Sequence, residues 1–206
     1  MSACRRRRNG FTLAEVAVST AIIAMLAAVT VPYLVTFLDR QRAQTTAEKL
    51  SALAEGISAF ASAVKTSAAP TSTAYPGLIS ELANQIVANS AVTHNSCGSG
   101  ATGTFNSTAV TTGWGGNGPF VNFFIPVGGL KTPLGMVSDS MVRTPGTAAV
   151  GTLAIRMLAV DTADTNLLDF VVDGGDGASA GTVRFTVVAA THRADIQYLV
   201  PIAAKC

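Results

Sequence analysis

Four consecutive arginines, Arg5 to Arg8, stand ahead of an apolar run from Phe11 to Leu38 in which Glu15 is the only charged residue. A helix over these positions would be about 42 Å long at 1.5 Å per residue, enough to cross a bilayer. Basic residues beside a span stay on the cytoplasmic side, so this order sends residues 39–206 to the opposite side. The rest of the chain is expected to be a head carried on that rod.

Three layouts satisfy the hydropathy. A secretory signal peptide has a basic start, but its apolar core is shorter, roughly 7 to 15 residues, and ends at a small-residue cleavage site. Ala24 to Thr30 imitates such a site, yet the apolar run continues through Tyr33, Leu34, Phe37 and Leu38. An uncleaved signal anchor fits better. It gives no role to the glycine at the boundary between charge and apolar core, Gly10, or to the carboxylate five positions beyond it, Glu15.

Gly10-Phe11-Thr12-Leu13-Ala14-Glu15, behind a short basic leader, resembles the processing site of type IV pilins and of the pseudopilins of type II secretion. The resemblance covers roughly the first 35 residues. It implies a membrane peptidase, the prepilin peptidase, that cuts between Gly10 and Phe11 on the cytoplasmic side and methylates the new amine of Phe11. It also implies a single-pass inner-membrane precursor with a periplasmic head, drawn later into a periplasmic or cell-surface filament. The partners it implies are other copies or related subunits and the filament assembly machinery.

Physical chemistry supports a role for Glu15. A carboxylate near the middle of a membrane costs about 2.5 to 3.5 kcal/mol on insertion scales and normally marks a partner. After cleavage the nearest cation at that depth is the Phe11 amine, its own or a neighbour's, and pairing with a neighbour would favour assembly. The plainer reading is that Glu15 meets headgroups and the positive end of the helix dipole. With Gly10 and Phe11 beside it, the assembly role is favoured. Pro32 removes one helical hydrogen bond and predicts a kink. The resemblance adds that such a point could melt as subunits leave the bilayer.

The formal charge of +2 misleads. Of 14 Lys and Arg against 12 Asp and Glu, four are leader arginines, leaving 10 against 12 from Phe11 onward. The remaining cations are scattered without a basic, aromatic-interleaved face, so no nucleic-acid partner is predicted. Residues 39–206 are numerous enough for one domain with its own core.

Beyond Pro32, Leu50, Leu53, Ile57, Phe60 and Val64 recur at helical spacing. One helix is expected from about Phe11 to Val64, its second half laying an apolar stripe on a sheet; Gly56 weakens that half, and a coiled-coil stalk is an alternative. A Ser/Thr/Ala/Pro-rich break is read over 65–74, a short helix after Pro76-Gly77, and a long loop over 93–118 around Trp114. Strands are read at 120–127, 134–142, 152–160, 167–172, 182–190 and 196–202. The predicted class is α+β: a long N-terminal kinked helix, transmembrane then amphipathic, on a C-terminal antiparallel sheet, as in pilins. The divisions are a leader 1–10, a transmembrane and assembly helix 11–38, its amphipathic continuation 39–65, a variable connection 66–119, and the sheet of the head 120–206.

Cys4 lies in the leader on the reducing side, whereas Cys97 and Cys206 would share an oxidising compartment, where an even count suggests a disulfide. The loop so closed is longer than pilins usually show, which keeps an intermolecular bond or a free thiol as the second option. Asp173-Gly174-Gly175-Asp176-Gly177 could offer Asp173 and Asp176 to calcium, as loops in some pseudopilin heads do. It lacks EF-hand spacing, and Asp-Gly is hairpin-turn chemistry, so a turn is favoured and no cofactor is expected beyond that calcium option. His94 and His192 belong to no catalytic or metal pattern, and no nucleophile elbow or P-loop occurs; no enzymatic activity is expected. The function read from the chain is a structural subunit of a type IV filament, a pilin or minor pilin. A secretion pseudopilin is the alternative within the resemblance, and an uncleaved, membrane-anchored extracytoplasmic binding domain the alternative outside it.

Overall fold

Helical spacing in the first third of the chain is realised as one element in the computed structural model, which describes residues 12–64, 75–87, 105, 109–144 and 150–203. Helix α1 spans Leu13–Ala63 and runs through Pro32. The expected break at 65–74, together with Gly10, Phe11, Cys4, Cys97, Cys206 and His94, lies outside the described residues. Two compact units divide the chain, residues 1–40 and 41–206.

In the first unit every described side chain through Phe37 is exposed. These include Val16, Ile22, Ile23, Leu26, Val29, Leu34 and Phe37, an apolar surface that no other described residue buries.

In the second unit, α1 buries Ala43, Thr46, Leu50, Leu53, Ile57 and Phe60, one face at alternating steps of three and four. This face shares one core with Val137, Leu153, Ile155, Met157, Val183, Ile196, Val200 and Ile202 of the sheet. Each fully buried Leu, Ile or Phe contributes about 1.5 to 3 kcal/mol relative to exposure, so the stripe anchors the helix to the sheet. Gly56 belongs to that packing: a Cβ there would stand 2.8 Å from Val121 Cγ1 and 3.0 Å from the Phe120 carbonyl. The glycine read as a weakness permits a close approach.

The sheet has six strands, all paired antiparallel: β1 (Gly129–Lys131), β2 (Met136–Ser138), β3 (Val142–Thr144), β4 (Val150–Asp161), β5 (Val183–Val188) and β6 (Arg193–Ala203). The spatial order is β1-β2-β4-β6-β5, with β3 on β4 as well. Long β4 and β6 form the centre, Leu153 facing Val200 and Met157 facing Ile196. Along β6, Ala194, Ile196, Val200 and Ile202 alternate inward, the period-two pattern of a half-buried sheet. A register shift between Met157 and Val160 places Ala159 at φ 55°, and its amide donates to Asp195 Oδ1. This is a bulge that turns β4 toward the next element.

Two strand expectations are corrected. Residues 167–172 lie in a helix, α3 (Thr162–Asp173). The Asp161 side chain accepts from the Ala163 amide at its start, and Gly174 closes it in the left-handed conformation at φ 75°. Its apolar residues, Leu167, Leu168, Val171 and Val172, have helical spacing, and only Leu168 is fully buried. Residues 120–127 form no strand either: the Phe120 amide donates to the Leu82 carbonyl, and Asn84 Nδ2 donates to that of Ile125. Backbone groups that a ladder would use are taken by the turn they wrap, and Pro126 removes a further donor. The antiparallel sheet therefore begins at Gly129 rather than at residue 120, and a helix interrupts it. The segment 134–142 resolves into β2, a bend and the start of β3.

In the connecting region the short helix expected after Gly77 is a 3-10 turn, Ile79–Leu82. A π-helical turn, Ala109–Trp114, and α2 (Gly115–Asn117) occupy part of the expected loop. Trp114 is buried there, its indole N–H donating to the Glu81 carbonyl at 2.7 Å. Its ring meets Phe120 edge-on, and Phe120 meets Phe60 in the same way, tying the connection to α1.

Candidate functional site

The N-terminal segment is the first candidate. Thr12 and Glu15 make a reciprocal pair at the mouth of α1: the Glu15 amide donates to Thr12 Oγ1 at 3.3 Å, and the Thr12 amide donates to Glu15 Oε2 at 3.4 Å. This is a capping box, in which two of the amides that a helix start leaves without partners are served by side chains. The Thr-x-x-Glu spacing that announces it is legible in the sequence, where the position of Glu15 in an apolar run masks its capping role. Glu15 is exposed, on the first turn of the helix. Its carboxylate thus reaches back past the helix start, to within one residue of Phe11.

From Leu13 onward this surface is apolar, and its most apolar 18-residue window is wholly exposed, with a mean hydropathy of 2.3. That is sufficient, by length and composition, to cross a membrane. Pro32 lies within the exposed stretch, where it cannot donate to the Ala28 carbonyl. The hydroxyl of Thr36, one turn on, donates to the carbonyls of Pro32 and Tyr33, at 3.3 and 3.0 Å.

Comparison with known proteins meets this segment at the same place. The family model of the prokaryotic N-terminal methylation motif matches residues 5–31. The chain carries the prepilin-type signal of type IV pilins and pseudopilins, on an α+β fold of a long N-terminal helix and a C-terminal antiparallel sheet. Helix and motif together fit a membrane-anchored precursor that is a substrate of prepilin peptidase. No curated protein and no solved structure matches the chain.

The second candidate is at the far end of α3. Asp173 is the last residue of that helix and Asp176 follows in the loop, so Asp173 to Gly177 is a helix terminus, not the hairpin turn expected. The fold brings in a third carboxylate, Asp169, one turn earlier. Asp169, Asp173 and Asp176 each present an oxygen within 4.8 Å of the others. Sequence reasoning missed Asp169 because it lay within a supposed strand; on a helix, the i, i+4 spacing of Asp169 and Asp173 puts both on one face.

A third cluster links the connecting region to the sheet. Asp139 is buried between β2 and β3, where Oδ1 accepts from the Ser80 amide at 2.9 Å and Oδ2 from the Ser80 hydroxyl at 3.0 Å. Glu81, also buried, accepts from the amides of Gly77 and Leu78 at 2.9 and 3.3 Å. The Glu81 carboxyl is pushed up to about 8: burial raises it most, the Leu78 and Gly77 amides offset part of that, and the charge of Asp139 adds to the rise. This pair serves the turn at 77–84.

Proposed function

We propose that the chain is a structural subunit of a type IV filament, a pilin or minor pilin, cut between Gly10 and Phe11, methylated at Phe11, and assembled through α1. The observation that carries this reading is the methylation motif over residues 5–31 running directly into an exposed apolar helix. Glu15 is the assembly residue. Its carboxylate already engages the Thr12 amide, so removal of the leader would place a charged amine one residue away, within reach of the same group or of the Glu15 of a neighbouring copy. A buried carboxylate and ammonium pair each offset the other's cost of leaving water, and the cost of a lone one falls on any misregistered subunit. Pro32 is the point at which the helix is most easily opened, because one backbone bond is already absent. The head acts by packing and performs no chemistry on a substrate.

A pseudopilin of a secretion system shares the motif and is the second reading. Deleting the gene separates them: loss of surface filaments marks a pilus subunit, and loss of an exported enzyme with filaments intact marks a pseudopilin. An uncleaved anchor is tested by intact mass of the membrane-extracted protein. Loss of residues 1–10 with one added methyl is expected, and a retained leader would overturn the proposal. Glu15→Ala should be cleaved normally yet be reduced at least tenfold in assembled filaments; wild-type incorporation would remove the role given to this carboxylate.

A further inference from the structure

The end of α3 holds an arrangement that the proposed assembly through α1 does not call on. Asp169 is 4% exposed, and its two oxygens differ: Oδ2 accepts from the Gly177 amide at 3.2 Å, whereas Oδ1 is buried with no hydrogen-bond partner. A carboxylate oxygen withdrawn from water needs a donor or a cation, because its desolvation is otherwise uncompensated. Asp173 Oδ2 accepts from the amides of Thr182 and Val183, at 2.9 and 2.6 Å, and Asp176 is open to solvent. Among the described residues no Lys, Arg or His forms an ion pair with any of the three.

We propose that Asp169, Asp173 and Asp176 form a binding site for a divalent cation of the size of Ca²⁺, which clamps the loop 174–182 between α3 and β5. The ligand chemistry selects a hard ion, since all three donors are carboxylate oxygens. Oxygens that all lie within 4.8 Å of one another can reach a single ion, and a set of only three carboxylates, two of them already held by backbone amides, suits the flexible coordination of Ca²⁺ better than the near-ideal octahedron that Mg²⁺ demands. Gly181 leaves the approach free, for a Cβ there would stand 2.6 Å from Asp176 Oδ2 and 2.7 Å from Asp173 Oδ2. The negative end of the α3 dipole adds to the attraction. With three protein ligands and the remaining positions filled by water, the affinity belongs to the weaker class, on the order of 10⁻⁴ M.

The test uses the full-length protein in detergent micelles, stripped with EDTA and titrated with CaCl₂ or MgCl₂. One Ca²⁺ per chain by calorimetry is expected, with the unfolding midpoint raised by about 5 to 10 °C at a hundredfold excess over Kd. Mg²⁺ should give a smaller shift, and Ca²⁺ should protect the loop 174–182 from limited proteolysis. Asp176→Asn, at an exposed position that leaves the core alone, should weaken Ca²⁺ at least tenfold; Asp164→Asn, earlier on the same helix, should leave it unchanged. No Ca²⁺-dependent shift up to 5 mM, or equal affinity in Asp176→Asn and the wild type, would overturn the site. Processing at Gly10 is independent of the outcome, so this inference and the filament reading fail separately.

Discussion

Glu81 shows how one buried carboxyl couples stability to pH. The unfolded chain releases its proton near 4.5 and the folded chain near 8, so over that range the native state holds a proton that the unfolded state has lost. The stability this contributes is complete below pH 4.5 and declines as pH rises toward 8. Each unit of pKa difference is worth about 1.4 kcal/mol, and a loss on the order of 5 kcal/mol across the window follows. Thermal unfolding followed from pH 5 to 8 should show a falling midpoint. Glu81→Gln, which keeps an acceptor for the Gly77 and Leu78 amides, should flatten the slope; an unchanged slope would assign the pH dependence to other groups. At this scale the sequence was silent, since nothing in Ile79-Ser80-Glu81-Leu82 marks the glutamate as buried. The groups bound to this turn are distant in the chain: Trp114 donates to the Glu81 carbonyl and the Phe120 amide to that of Leu82.

At the scale of elements, α3 is where sequence and structure part. Leu167 to Val172 is rich in branched and aromatic side chains, which suit strands, and that local composition masks the helix signals flanking it. Asp161 stands at an N-cap position, Gly174 at a C-terminal one, and the apolar residues between are spaced for a helix face. Asp161→Ala removes the acceptor of the Ala163 amide and should destabilise the head by about 1 kcal/mol, lowering the denaturant midpoint without changing the slope. A neutral result would mean that α3 is held by packing alone. Helix α1, by contrast, was legible almost to the residue, because its apolar repeat persists over many turns while short strands supply only a few alternations. The apparent strand at 120–127 failed for a different reason: its backbone partners belong to the turn at 77–84, which no local pattern reveals.

For the whole molecule, the second unit depends on one core that joins α1, the connecting segment and the sheet. Phe60 sits at its centre, fully buried, meeting Phe105 and Phe120 edge-on at 5.6 and 5.2 Å. Phe60→Ala should cost about 3 to 5 kcal/mol and lower the thermal midpoint by roughly 10 °C, measured by circular dichroism. If the midpoint moved by only a degree or two, the connecting segment would not be part of the cooperative core.

Sequence alone settled what depends on local order along the chain. Basic leader, glycine, apolar span and Glu15 follow one another in line, so their spacing suffices to define a prepilin-type signal. The amphipathic period of α1 is likewise a property of neighbours three and four apart. What only the tertiary structure decided was which distant groups share a volume. Folding set Asp169 beside Asp176, bound the Glu81 carbonyl to Trp114, and turned Gly56 from a weak point into a close approach to Val121. Each of these depends on chain crossings whose energies come from packing and desolvation, and those are summed over the whole core rather than along any one stretch.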